Sequence, residues 1–305
     1  MKPPTFLVYF SEASVASADF RRMMWDEYAA AGAKYVILTD PVIRLIAGKA
    51  ALAPTIRDEI AAAGLELLDA HAPFGKWENL SLAAEELRGS MIARHRLTLQ
   101  IAADFGIRTI TFHHGRIPFE TPGAPAERFV ANAKRSLDQL LPLAEQLGIA
   151  IAVENTCDPL TSAERLLHLM HHYRSPYLGI CYDSGHANIL AHPGDSPDSV
   201  AVKEYTPHGL APEWDDRLLE KILPHVINCH LHDNDGVADQ HRLPGNGNVD
   251  WPRVMALLAK APRLRCIQDE AFPRTSDFSI RENCRVFDDL LHGIYPRQTD
   301  RTESE

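Results

Sequence analysis

Eight times along the chain, a short run rich in apolar and β-branched residues gives way to a longer stretch with helical spacing. The strand runs cover residues 5–10, 34–39, 65–71, 107–114, 149–154, 177–183, 225–232 and 264–270. The helical patterns cover 17–31, 49–63, 81–105, 126–147, 161–173, 213–223, 251–260 and 277–293. Strands that are apolar almost throughout, such as "IAIAVE", belong in a parallel sheet covered on both faces, because a half-exposed strand would alternate. Eight β-then-α units are the number that closes a (β/α)8 barrel. A doubly wound open sheet would carry a glycine-rich phosphate turn after its first strand, and "SEASVAS" there holds no glycine. Gly32, Gly64, Gly106 and Gly148 each follow a helical pattern, where the chain must turn through positive φ. The expected fold is an α/β (β/α)8 barrel in a single domain over residues 1–295, with a disordered polar tail at 296–305.

A chain of 305 residues can bury roughly three-quarters of its unfolded surface, so neither a disulfide nor a metal is needed to stabilise it. A metal site here would serve function. Cys157, Cys181, Cys229, Cys266 and Cys284 form no CxxC pair and read as reduced, buried packing thiols. With no leader-like cleavage site and no apolar run of 18 residues, the expected location is the cytoplasm, with no membrane contact. The net charge of −10 argues against a nucleic-acid partner. One link stands out. Residues 184–212 hold four prolines and three histidines without helical periodicity, and are read as a partial lid over the barrel's C-terminal face.

From the third strand onward, every strand run ends in an imidazole or a carboxylate. The ends carry His71, His113 with His114, Glu154, Asp183 with His186 three residues on, His230 with His232, and Glu270. After His230 comes the stretch "HLHDNDGVADQHRLPGNG", which contributes Asp239 and His241. Singly, each has an ordinary explanation: a strand-end histidine caps a loop, and an aspartate or glutamate caps the next helix. Together they fall on the face where a (β/α)8 barrel builds its active site. Burying that many acids side by side is costly unless a cation neutralises them. Carboxylates with imidazole and no thiolate suit Zn, Mn, Co or Fe better than Ca. Alternation along the strands turns Tyr182 and Cys229 away from the interior that His230 faces. Trp25 and Trp251 are expected between helix and barrel, whereas Trp77 and Trp214 are candidates for the pocket wall.

Set in order, "HAPF" at 71–74, "VENT" at 153–156, "CYDSGHAN" at 181–188, "CHLHDND" at 229–235 and "QDEAF" at 268–272 make the chain resemble the xylose-isomerase-like TIM-barrel superfamily. That group includes sugar isomerases and epimerases, inosose and hydroxypyruvate isomerases, some dehydratases and endonuclease IV. The sugar-isomerase branch implies one divalent metal on Glu154, Asp183, His230 and Glu270, with His186 on a substrate oxygen. It implies Glu154 and Glu270 as the catalytic pair, moving a proton next to a metal-polarised carbonyl of a sugar, sugar derivative or cyclitol. A related dehydratase or lyase would use the same proton abstraction. The endonuclease IV branch implies up to three zinc ions, and His71, His113, Glu154, Asp183, His186, His230, Asp239, His241 and Glu270 match its nine ligands. His232 adds a further metal- or substrate-binding candidate. The chain departs from both branches: His241 stands where tagatose epimerases carry an arginine, and "ENTCDP" replaces the "ENTAGQG" of endonuclease IV. The resemblance therefore implies a metal-dependent isomerase or epimerase of a small sugar or polyol, as a homo-oligomer in many members. The alternatives are a multi-zinc phosphodiesterase and a non-catalytic sugar-binding barrel.

Overall fold

The computed structural model describes residues 2–7, 12–118, 121, 123–193, 196–272 and 278–295. Parallel strands β1 (Pro4–Thr5), β2 (Tyr35–Leu38), β3 (Glu66–His71), β4 (Thr109–His113), β5 (Ala150–Glu154), β6 (Leu178–Asp183), β7 (Val226–Leu231) and β8 (Ile267–Asp269) pair in sequence order, and β8 pairs back to β1. A bridge between Phe6 and Val36 joins the first strand to the second and closes the ring. The expected (β/α)8 barrel is what forms. The tail expected to be disordered, 296–305, lies outside the described residues, as does the end of the first strand run, 8–10.

Around the strands run helices α1 (Glu12–Ala16), α2 (Ala18–Ala30), α3 (Asp40–Gly48), α4 (Leu52–Ala62), α5 (Glu85–Asp104) and α6 (Ala126–Leu147). They continue with α7 (Ala163–Tyr173), α8 (Ser184–Ile189), α9 (Val200–Tyr205), α10 (Leu218–Ile222), α11 (Trp251–Leu258) and α12 (Ile280–Leu291). The main core lies between strands and helices, where Val36, Ile110, Val153, Ile180 and Leu231 meet Met91, Leu137 and Leu166. Burying such side chains contributes about 1.5–3 kcal/mol each. Trp25, Tyr182, Cys229 and Trp251 sit in this outer core, as alternation requires. All five cysteines are free and buried. Cys181, however, faces the barrel interior with Ala150, Ala152 and Ile227, in direct reach of the His230 ring.

The 184–212 link is more ordered than its sequence indicates: it folds into α8, α9 and a 3-10 turn over Thr206–His208. Ile189, Leu190, Ala201 and Tyr205 pack with Cys157 into a small cluster of their own. Val200 and Glu204 of α9 form part of the wall of the cleft above the strand ends. No helix among the described residues is long and apolar enough to cross a membrane.

Candidate metal centre

Local structure fixes each strand-end side chain before any of them meet. Glu154 ends β5, and Asn155 beside it ties that end to β6: its Nδ2 donates to the Asp183 carbonyl (3.0 Å), and its Oδ1 accepts from the Asp183 amide (2.8 Å). Asp183 caps α8, accepting from the His186 amide at 2.6 Å, so helix entry aims both Asp183 and His186 at the barrel axis. Gly185 has no room for a side chain, since a Cβ would lie 1.9 Å from Cε1 of His232. A bulge opposite Ile180/Cys181 shifts the β6–β7 register, which leaves Asn228 and His230 facing inward together.

The loop after β7 is organised by one residue. Asp233, fully buried, accepts from the amides of Asn234 (2.9 Å), Val249 (3.1 Å) and Gly245 (2.8 Å) and from Trp251 Nε1 (2.8 Å). Its backbone also pairs in both directions with Arg242. Asp235 is spent on the amides of Val237 and Ala238 and on Gln240. Of the three aspartates in the stretch, only Asp239 is left for the site. His241 adopts a left-handed conformation (φ +47°) that most side chains avoid. Its ring lies between His232 (centroids 4.0 Å apart) and Phe272 (4.1 Å), and its Nδ1 contacts the Glu270 carbonyl at 2.9 Å.

The strand ends converge on one buried cluster. Ligand atoms of Glu154, Asp183, His230 and Glu270 all lie within 4.8 Å of one another. His230 Nδ1 is 3.0 Å from Glu270 Oε1, 3.5 Å from Glu154 Oε2 and 4.0 Å from Asp183 Oδ2. On one side His71 Nε2 (3.6 Å) and His113 Nε2 (3.2 Å) face the same Glu154 Oε2. On the other, His186 Nε2 (3.4 Å) and His241 Nε2 (3.1 Å) face Asp239 Oδ2. His186 Nδ1 also lies 3.2 Å from Glu154 Oε1, and His232 Nε2 lies 3.2 Å from Asp183. His114, by contrast, makes none of these contacts and is fully buried, and burial lowers its pKa to about 4. Burial alone would push the Glu154 and Glu270 carboxyls up. The His113 and His230 imidazoles beside Glu154, and His230 beside Glu270, hold both below the ordinary range. Burial likewise opposes charge on His186 and His230; Asp183 and Asp239 outweigh it at His186, and Cys181, Glu270 and Glu154 outweigh it at His230, raising both well above the usual imidazole value.

This donor set fits a divalent cation. Glu154 Oε2, His230 Nδ1, His232 Nδ1 and Asp239 Oδ1 are buried without a hydrogen-bond partner among the described residues. Such atoms are costly unless something satisfies them. Nitrogen and carboxylate oxygen without thiolate is the chemistry of Zn, Mn, Co or Fe(II). Beside the cluster opens a cleft of about 500 Å³, lined by Lys76, Asn79, Arg116, Thr156 and Glu204 among others, with Phe74 stacked over His113 at 4.4 Å. Trp77 lies outside this lining: it is 48% exposed on a neighbouring groove. Trp214 packs against the Cys157–Tyr205 cluster. Asn155, Asp233 and Phe272 were not singled out from the sequence. The signal for Asp233 was an aspartate directly ahead of a glycine-rich loop that ends in a tryptophan.

A family model described as xylose isomerase-like TIM barrel matches residues 25–274. An uncharacterized protein of Methanocaldococcus jannaschii, MJ1311, is 27% identical over 192 residues, which are 62% of this chain and 58% of that protein. The chain thus spans little more than half the length of that relative. The crystal structure of a D-tagatose 3-epimerase-like protein superposes with a TM-score of 0.65 at 20% identity, covering 86% of this chain and 89% of the other. That of an IolI protein with a zinc atom gives 0.66 at 14% identity, covering 98% and 100%. With 250 consecutive positions under the family model and the strand-end cluster inside them, the chain belongs to the xylose isomerase-like TIM barrel family.

Proposed function

We propose that this protein is a divalent-metal-dependent isomerase or epimerase of a small sugar, sugar derivative or cyclitol. One observation carries the reading: ligand atoms of two glutamates, an aspartate and a histidine lie within 4.8 Å of one another at the mouth of a barrel. Glu154, Asp183, His230 and Glu270 would hold the cation. When bound, it would supply Lewis acidity toward a substrate carbonyl and so acidify the neighbouring C–H. Glu154 and Glu270 each have a second oxygen beyond the one nearest His230, facing His186 Nδ1 at 3.2 Å and His241 Nδ1 at 4.0 Å, on which a proton would be held. One carboxylate would take a proton from one face of the substrate carbon and the other would return one, leaving an ene-diolate between the two transfers. His186, at the rim of the cleft, would donate to a substrate oxygen. The cleft volume suits a monosaccharide-sized ligand.

The test is proton exchange followed by NMR in D2O over a panel of ketoses and inososes. Turnover should place deuterium next to the carbonyl, and Glu154→Gln or Glu270→Gln should each cut the rate by about 10²-fold or more. Full turnover in both variants would remove the mechanism. A second reading has its own observation: His71 and His113 on Glu154, and His186 and His241 on Asp239, add two further ligand groups. Elemental analysis near three zincs per chain, with phosphoester hydrolysis lost in His71→Ala and His113→Ala, would favour a phosphodiesterase instead.

A further inference from the structure

The side chains directly beneath the ligands are unusual for a barrel. Two residues before the ligand-bearing strand ends, on the same inner face, stand Asp69, Thr111, Ala152, Cys181, Asn228 and Gln268, all fully buried. Barrel interiors of this kind are ordinarily filled by Val, Ile and Leu. Here the tier is mostly polar and is hydrogen-bonded upward. Asn228 Nδ2 donates to Asp69 Oδ2 (2.6 Å) and to Thr111 Oγ1 (3.0 Å), while its Oδ1 accepts from the Cys266 thiol (3.3 Å). The amide is therefore oriented by three partners. Thr111 Oγ1 lies 3.2 Å from His230 Nε2, and Gln268 Nε2 donates to Glu270 Oε1 at 3.3 Å.

We propose that Thr111 and Gln268 are positioning residues that set which atoms of His230 and Glu270 face the cation. The inference rests on the reading of Glu154, Asp183, His230 and Glu270 as cation ligands. Nδ1 is the His230 nitrogen turned to the three carboxylates. If Nδ1 offers its lone pair to a cation, the neutral ring must carry its proton on Nε2, and that N–H needs an acceptor. The Thr111 hydroxyl has two lone pairs; one receives Asn228, and the other points the ring. Without it, Nε2 loses the hydroxyl that fixes the ring's orientation. Gln268 acts in parallel, holding one Glu270 oxygen in line while its own carbonyl oxygen stays buried without a partner among the described residues.

The experiment is Zn²⁺ affinity of the metal-free full chain, read by competition with a chromophoric chelator. Thr111→Val, nearly the same shape, should weaken binding about 10–100-fold, and Gln268→Met should weaken it in the same direction. Thr111→Ser, which keeps the hydroxyl, should restore wild-type affinity. Equal affinity in wild type and Thr111→Val, or equal losses in the Val and Ser variants, overturns the positioning role and leaves the ligand set intact. Failure of the wild type to take up Zn²⁺ overturns the ligand set as well. A measurement on wild type alone completes the test if a variant does not fold. In ¹⁵N-histidine-labelled, Zn²⁺-loaded protein, His230 should carry its proton on Nε2, and a proton on Nδ1 overturns the proposal.

Discussion

His95 shows how far burial moves a titratable residue when the charges around it do not compensate. It sits on α5 with its ring against Phe112, bonded to the Glu78 carbonyl at 2.5 Å, and burial lowers its pKa from 6.5 to about 4. Between those values the unfolded chain binds the proton and the folded one does not. The stability this group contributes is therefore complete above pH 6.5 and lost as pH falls toward 4, by about 3 kcal/mol. His95→Phe, which cannot titrate, should be the less stable protein at pH 7.5 and should close or reverse that gap by pH 4.5. Urea unfolding at the two pH values measures it, and a constant gap would contradict the sign. At this scale the strand-end imidazoles and carboxylates were legible and the residues that hold them were not. His113 and Glu270 stand out as polar ends of apolar runs. Thr111 and Gln268, two positions earlier, look like ordinary strand residues until the interior face is known.

Elements were legible in proportion to their length. The 22 residues of α6 match the expected 126–147 because six turns of amphipathic spacing leave little ambiguity. Helices α8 and α9 have six residues each, under two turns, too few for a period to emerge from a proline-rich link. The loop after β7 shows the same limit in another form: its histidines and aspartates announced a site, but the division of labour among them depends on geometry. Asp233 binds the loop to itself, and Asp239 and His241 are what the loop delivers. Asp233→Asn leaves two of the donors now on its carboxylate facing an amide N–H₂ and should cost about 2–3 kcal/mol. Hydrogen exchange should quicken across 234–250 while β4 to β6 stay protected. Uniformly faster exchange would mean that Asp233 supports the barrel as a whole.

At the scale of the molecule, the hydrophobic core and the candidate metal centre are separate structures. The core packs outside the strands, and the strand-end carboxylates and imidazoles cluster at one end of the inside. Removing the cation with a chelator should therefore leave the far-ultraviolet circular dichroism unchanged and lower the melting temperature by the binding linkage alone. Collapse of the fold on chelation would make the centre structural. Uptake should also release protons, because His230, the imidazole of the proposed ligand set, is raised well above its usual value by Cys181, Glu270 and Glu154 against the pull of burial and must lose a proton to bind a metal.

The sequence by itself determined the architecture and the kinds of donor side chain at the strand ends. Eight apolar runs alternating with eight helical patterns have one economical closed arrangement, and polar residues at the ends of buried strands have one face to occupy. Tertiary structure alone decided which atoms meet. Glu154 Oε2 faces His71, His113 and His230 together because closure of the sheet sets the ends of β3, β4, β5 and β7 around one axis. Asp239 reaches His186 because four hydrogen bonds to Asp233 fold the intervening loop back over the barrel. Periodicity along a chain reports the direction of a side chain; the distance between two side chains far apart in sequence is set by closure of the sheet.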